Sequence, residues 1–119
     1  MTPVARIRKE YQDRPESHTF EWYLNWHMDH GFVFSTPSFF IMGFAVDSDL
    51  VRKVEPMAAF RAKGDCWYIA AMAGDMVAAW SILPWKLPLL AWHRDRDGGK
   101  DLQIWPIEKI ERLTKGGKT

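Results

Sequence analysis

Two histidines three residues apart, His27 and His30, hold the residues in this sequence best suited to chemistry. On a helix an i, i+3 pair shares one face. Imidazole is both a common zinc ligand and a general base near neutral pH. A metal site would need a third ligand, and His93 or Asp95 are the natural suppliers. Against this, a histidine in the last helical turn satisfies exposed carbonyls and the negative end of the helix dipole. His27 also falls in the middle of an apolar arc, where a hydrogen-bonded core histidine is the ordinary outcome. There is no metalloprotease-type pattern and no cysteine pair, so neither a metal nor a cofactor is expected.

Other reactive groups have simpler readings. Cys66, the single cysteine, opens an apolar stretch, where a lone thiol behaves as a small hydrophobe rather than a nucleophile. Ser35, Ser38 and Ser81 stand in no nucleophile-elbow context. The pairs Asp47/Asp49 and Asp95/Asp97 could serve acid–base chemistry. Both, however, occupy places where turns and helix starts prefer aspartate for its bonds to backbone amides. Gly98-Gly99 and Gly116-Gly117 do not form a phosphate loop. No catalytic residue is therefore assigned, and an enzyme is not the first expectation.

The elements that must position these groups follow from spacing. Ser17 as N-cap and Gly31 as a left-handed terminator predict a helix over 18–30. Its polar residues Glu21, Asn25 and Asp29 make one narrow stripe, and aromatic or apolar groups fill the rest. Strands are predicted over 32–35 and 39–46, a short helix over 49–54, a strand over 66–71 with Trp67, Ile69 and Ala71 on one side, and a helix over 76–83 capped by Asp75. A hairpin of strands 87–94 and 101–105 turns at Asp97-Gly98-Gly99. Pro106 then opens a terminal helix carrying Ile107, Ile110 and Leu113. The class is α+β: a mainly antiparallel sheet of about five short strands with three or four helices on one face. Residues 1–15 read as a flexible arm, 16–115 as one globular domain and 116–119 as a tail.

Seven tryptophans in 119 residues is a heavy aromatic load. Trp67 and Trp80 are expected in the core, and Trp92 and Trp105 are expected to meet across the hairpin. Trp22 and Trp26 are a surplus on a helix already apolar on its other side. Aromatics on strands can stack bases, but that mode needs a basic track. The chain carries 16 Lys plus Arg against 15 Asp plus Glu, a net +1, so nucleic acid is not an expected partner beyond weak contact through the basic ends. Residues 16–50 contain no Lys or Arg and hold Glu16, Glu21, Asp29, Asp47 and Asp49. A secretory leader and a membrane span are not expected, and a cytoplasmic location is.

The expectation for function is a small binding or protein-interaction module, homodimeric through the first helix and strand 39–46, with Trp22, Trp26, His27, His30 and Phe39 forming the ligand site or interface. The alternatives are a small enzyme or ligand-binding protein with an aromatic pocket using His27 and His30, and a weak nucleic-acid binder.

Overall fold

A computed structural model of the chain describes residues 1–13, 18–53, 64–82, 87–96 and 99–114. The first element is helix α1, Pro3–Asp13. Within the arm expected over 1–15, residues 3–13 are helical: Val4, Ile7 and Tyr11 recur at helical spacing between charged residues, and Ile7 is buried against the sheet. Thr2 caps α1 by accepting from the Ala5 amide at 3.2 Å.

Helix α2, Phe20–His30, starts two residues later than expected. Thr19 is its N-cap and accepts from the Trp22 amide at 3.1 Å; Ser17 lies outside the described residues. Strands β1, Phe32–Ser35, and β2, Phe39–Val46, follow with the expected bounds. Helix α3, Ser48–Lys53, is capped by Asp47, whose Oδ1 accepts from the amides of Asp49 and Leu50. Strand β3 runs Cys66–Gly74 and helix α4 runs Met76–Ile82, with Asp75 accepting from the Ala78 amide. Strands β4, Leu89–Arg96, and β5, Gly99–Pro106, lead into helix α5, Ile107–Thr114. The expectations that rest on residues 15, 56, 84–85, 97–98 and 115–119 lie outside the described residues.

The fold is α+β, with a five-stranded sheet in the order β1-β2-β3-β4-β5. Three of its four pairings are antiparallel, and β3 and β4 are parallel, connected through α4 as a parallel pair requires. The distribution of helices differs from the expected single layer, because five helices, among the described residues, lie on both faces of the sheet. Alternation along β2 makes this plain. Phe39 and Ile41 pack with Trp80 of α4 and with Ile107 and Ile110 of α5. Phe40 and Met42 point the other way and pack with Ile7 of α1 and with Phe20 and Tyr23 of α2. A central strand with an unbroken apolar run is the sequence signature of a sheet covered on both sides.

One irregularity sets the aim of β3. Met42 pairs with Ala71 but Gly43 with Ile69, so Ala70 is the extra residue of a bulge. The bulge moves Met72, rather than the expected Ala71, into line with Trp67 and Ile69. Trp80 is buried, Trp67 is half-buried, and the rings of Trp92 and Trp105 meet at 4.7 Å, as the spacing predicts. No helix among the described residues is long and apolar enough to cross a membrane.

Candidate functional site at the parting of two parallel strands

The single parallel pairing ends early. Cys66 to Ile69 of β3 match Leu89 to Trp92 of β4, and there the register stops. Beyond it Ala71 to Gly74 of β3 pair only with β2, while His93 to Arg96 of β4 pair only with β5. The bulge at Ala70 sits where the strands cease to pair. Bulges turn a strand and re-aim its side chains, and they recur beside functional sites. In open α/β sheets ligands bind outside the carboxyl ends of the strands at a topological switch point, and the end of this single parallel register offers a related place by analogy.

On the α1–α2 face of this point lie Tyr68 and His93. Alternation places Tyr68 opposite to Trp67, and His93 follows Ala91, the cross-strand partner of Tyr68. Tyr68 Oη and His93 Nδ1 share a hydrogen bond of 2.5 Å. A phenol and an imidazole can each donate and accept hydrogen bonds. The surroundings are apolar and incompletely covered. Phe44 is buried 5.5 Å from the Tyr68 ring, and Trp26, Leu102 and Ile104 are half-buried around the same cluster. A few convergent polar groups within a mostly apolar lining is the general form of a small-molecule site.

The residues expected to form the site are separated. Trp26 lies beside the Tyr68 cluster, its ring meeting that of Phe44 edge-on at 5.2 Å. Trp22 is on the outer side of α2, 40% exposed and stacked on His18. Phe39 points to the opposite face of the sheet, a consequence of the two-residue period of β2. His30 is exposed, its ring stacked on Trp26 and its Nδ1 within 3.0 Å of the Trp26 carbonyl. His27 is 3% exposed. Its Nδ1–H donates to the Tyr23 carbonyl at 2.7 Å, which leaves Nε2 as a bare acceptor, buried and unpartnered. Burial holds its pKa below the ordinary 6.5. Each of the two histidines is thus tied back to its own helix, and His93 is taken by Tyr68. Among the described residues no group of three or more His, Cys, Asp or Glu is placed to hold a metal ion, and the Asp95 side chain lies outside them.

Cys66 is fully buried at the start of β3, and burial together with the neighbouring Asp65 raises its pKa to about 12. The thiol stays protonated and packs as a hydrophobe, as its position suggests. The residue that spacing did not single out is Tyr68, and His93 appeared only as a metal ligand. The pairing that joins them is parallel and non-local, so no sequence pattern announces it.

Gly31 ends α2 with its amide donating to the His27 carbonyl at 2.8 Å. Its φ is −142°, not the left-handed value expected of a helix terminator. The requirement for glycine is contact: a Cβ there would lie 1.9 Å from the Gly43 carbonyl oxygen. Gly43 is equally confined, since its Cβ would lie 2.4 Å from the Tyr68 carbonyl oxygen. The end of α2, the middle of β2 and the Tyr68 backbone are therefore stacked without side chains between them. That close stack brings Trp26 and His27 down onto Phe44 beside Tyr68. The chain matches no protein-family model, and no curated protein or solved structure is significantly similar to it.

Proposed function

We propose that the protein is a small-molecule-binding module whose ligand enters between the carboxyl ends of β3 and β4 and bonds the Tyr68–His93 pair. The observation that carries this reading is the 2.5 Å hydrogen bond between those two side chains, set where the parallel register ends. The ligand's apolar part lies against Phe44, Trp26, Leu102 and Ile104. The surroundings also bear on its charge. The residues named in the lining, Phe44, Trp26, Leu102 and Ile104, are aromatic or aliphatic and carry no charge. A neutral or cationic organic molecule fits this lining better. The test is a thermal-shift screen of neutral and cationic fragments against the wild type, Tyr68→Phe and His93→Gln. Fragments that stabilise the wild type are expected to lose at least tenfold in affinity on either variant, the equivalent of about 1.4 kcal/mol for one anchoring hydrogen bond. Equal affinity for all three proteins overturns the site.

A second reading, self-association, is favoured by one observation on α2. Its inner side is covered within the chain, by α1 through the Tyr11 contacts to Phe20 and Tyr23 and by the sheet through Phe40 and Phe44. Its outer side leaves Trp22 at 40% and Met28 at 60% exposure. Dimerisation therefore uses Trp22 and Met28 rather than Trp26 and strand β2, which the fold consumes. Sedimentation velocity of the wild type at high concentration is expected to give a dimer that Trp22→Ala returns to monomer, while a monomeric wild type removes this reading.

A further inference from the structure

Helix α2 rests on the sheet through three inward side chains, Phe20, Tyr23 and His27. The first two are matched by Phe40 and by Tyr11. His27 is the exception, a polar ring with one nitrogen spent on its own helix and the other enclosed without a partner. We infer that the C-terminal half of α2 is an acid-released latch, held shut by neutral His27 and opened when that imidazole is protonated.

The reason lies in what surrounds the ring. Strands β1 and β2, on which α2 packs, contain no ionisable residue at all: their sequences are Phe-Val-Phe-Ser and Phe-Phe-Ile-Met-Gly-Phe-Ala-Val. From α1, the groups nearest α2 are Tyr11, against Phe20 and Tyr23, and Arg8, which already bridges to Glu21 at 3.3 Å. On α2 itself, His30 is one turn away and disfavours a positive charge on His27, while Asp29 and Glu21 lie on the exposed side. Tyr68 and His93 of the next strands are screened from the ring by Phe44 and bonded to one another. No carboxylate among the described residues faces Nε2. An imidazolium enclosed there has neither counter-charge nor solvent, so the chain gains by turning the ring out to water.

The sign follows from linkage. In the open helix His27 has an ordinary pKa of about 6.5, and in the closed one burial holds it lower. Closure is at full strength above that value and weakens as the pH falls below it. Between pH 7.5 and pH 5.5 the ratio of open to closed α2 rises, with about tenfold the ceiling for one imidazole of ordinary pKa in the open state. Opening lifts Trp26 from Phe44 and uncovers the wall beside Tyr68. The latch does not depend on whether that crevice binds a ligand.

Amide hydrogen exchange, corrected for the intrinsic pH dependence of exchange, measures this directly. On the wild type, amides of α2 are expected to lose protection between pH 7.5 and pH 5.5, by at most about tenfold, while those of β3 do not. In His27→Leu and His27→Phe the difference between the two pH values vanishes. Protection of α2 that is unchanged at pH 5.5 in the wild type overturns the latch. So does an equal loss in the leucine and phenylalanine variants, which assigns the effect to another group. Should both variants fail to fold, the imidazole resonances of wild-type His27 decide. A midpoint at or above 6.5 with α2 still protected contradicts the latch, and protonation that accompanies loss of protection supports it.

Discussion

Phe40→Ala is expected to cost about 3–5 kcal/mol and Ile41→Ala about 2–5 kcal/mol, measured by urea unfolding. The pair is informative because the two residues are adjacent on β2 and point in opposite directions. Both are fully buried, Phe40 under α1 and α2, Ile41 under α4 and α5. A sheet with one covered face would lose little from one of the two substitutions. A cost below about 1 kcal/mol at either position contradicts the two-sided cover, since surface changes fall in that range.

The second large effect is expected at Gly31. Alanine there places its Cβ 1.9 Å from the Gly43 carbonyl oxygen and 2.9 Å from both the Gly43 carbonyl carbon and Phe44 Cβ, atoms fixed by the backbone that cannot swing aside. The expected cost is about 3 kcal/mol, the upper end of ordinary overpacking, seen as a fall in Tm of about 10 °C. Asparagine separates this account from the conventional one. A left-handed cap would tolerate Gly31→Asn, because asparagine enters that region readily. A close-contact glycine makes Gly31→Asn at least as harmful as Gly31→Ala. Gly43→Ala is expected to be similarly costly, because its Cβ would press on the Tyr68 carbonyl oxygen and the Phe32 ring.

These two cases mark what was legible in the sequence. Elements that depend on local chemistry were readable: Asp47 and Asp75 cap their helices, and Phe32–Ser35 and Phe39–Val46 begin and end where the Gly and Pro punctuation puts them. The α+β class and the Trp92–Trp105 contact followed from the same signals. Helix α1 was missed because its apolar stripe, Val4, Ile7 and Tyr11, is diluted by five charged residues, Arg6, Arg8, Lys9, Glu10 and Asp13. An unbroken apolar strand does not disclose which of its residues face which layer, and so the sequence leaves the side of Phe39 open.

The candidate site was legible only in part. His27 and His30 attract notice by type and spacing, yet i−4 bonds from their rings to the Tyr23 and Trp26 carbonyls engage both with their own helix. Tyr68 and His93, 25 residues apart, meet only because β3 and β4 pair in parallel and because the bulge at Ala70 fixes where they stop pairing. Parallel pairing is set by tertiary packing of the crossover helix, and no short-range pattern encodes it. Gly31 shows the same limit in small: its identity was read as a matter of φ and is a matter of a neighbour twelve residues further on.

The most direct test of the central claim is an NMR map of the protein with and without a neutral or cationic fragment that stabilises it. Chemical-shift changes are expected to centre on Tyr68, His93 and the Ala70–Gly74 backbone, with smaller changes at Trp26 and Phe44, and to disappear in Tyr68→Phe. Changes centred instead on the outer side of α2, or a map that persists unchanged without the Tyr68 hydroxyl, would contradict a site at the parting of β3 and β4.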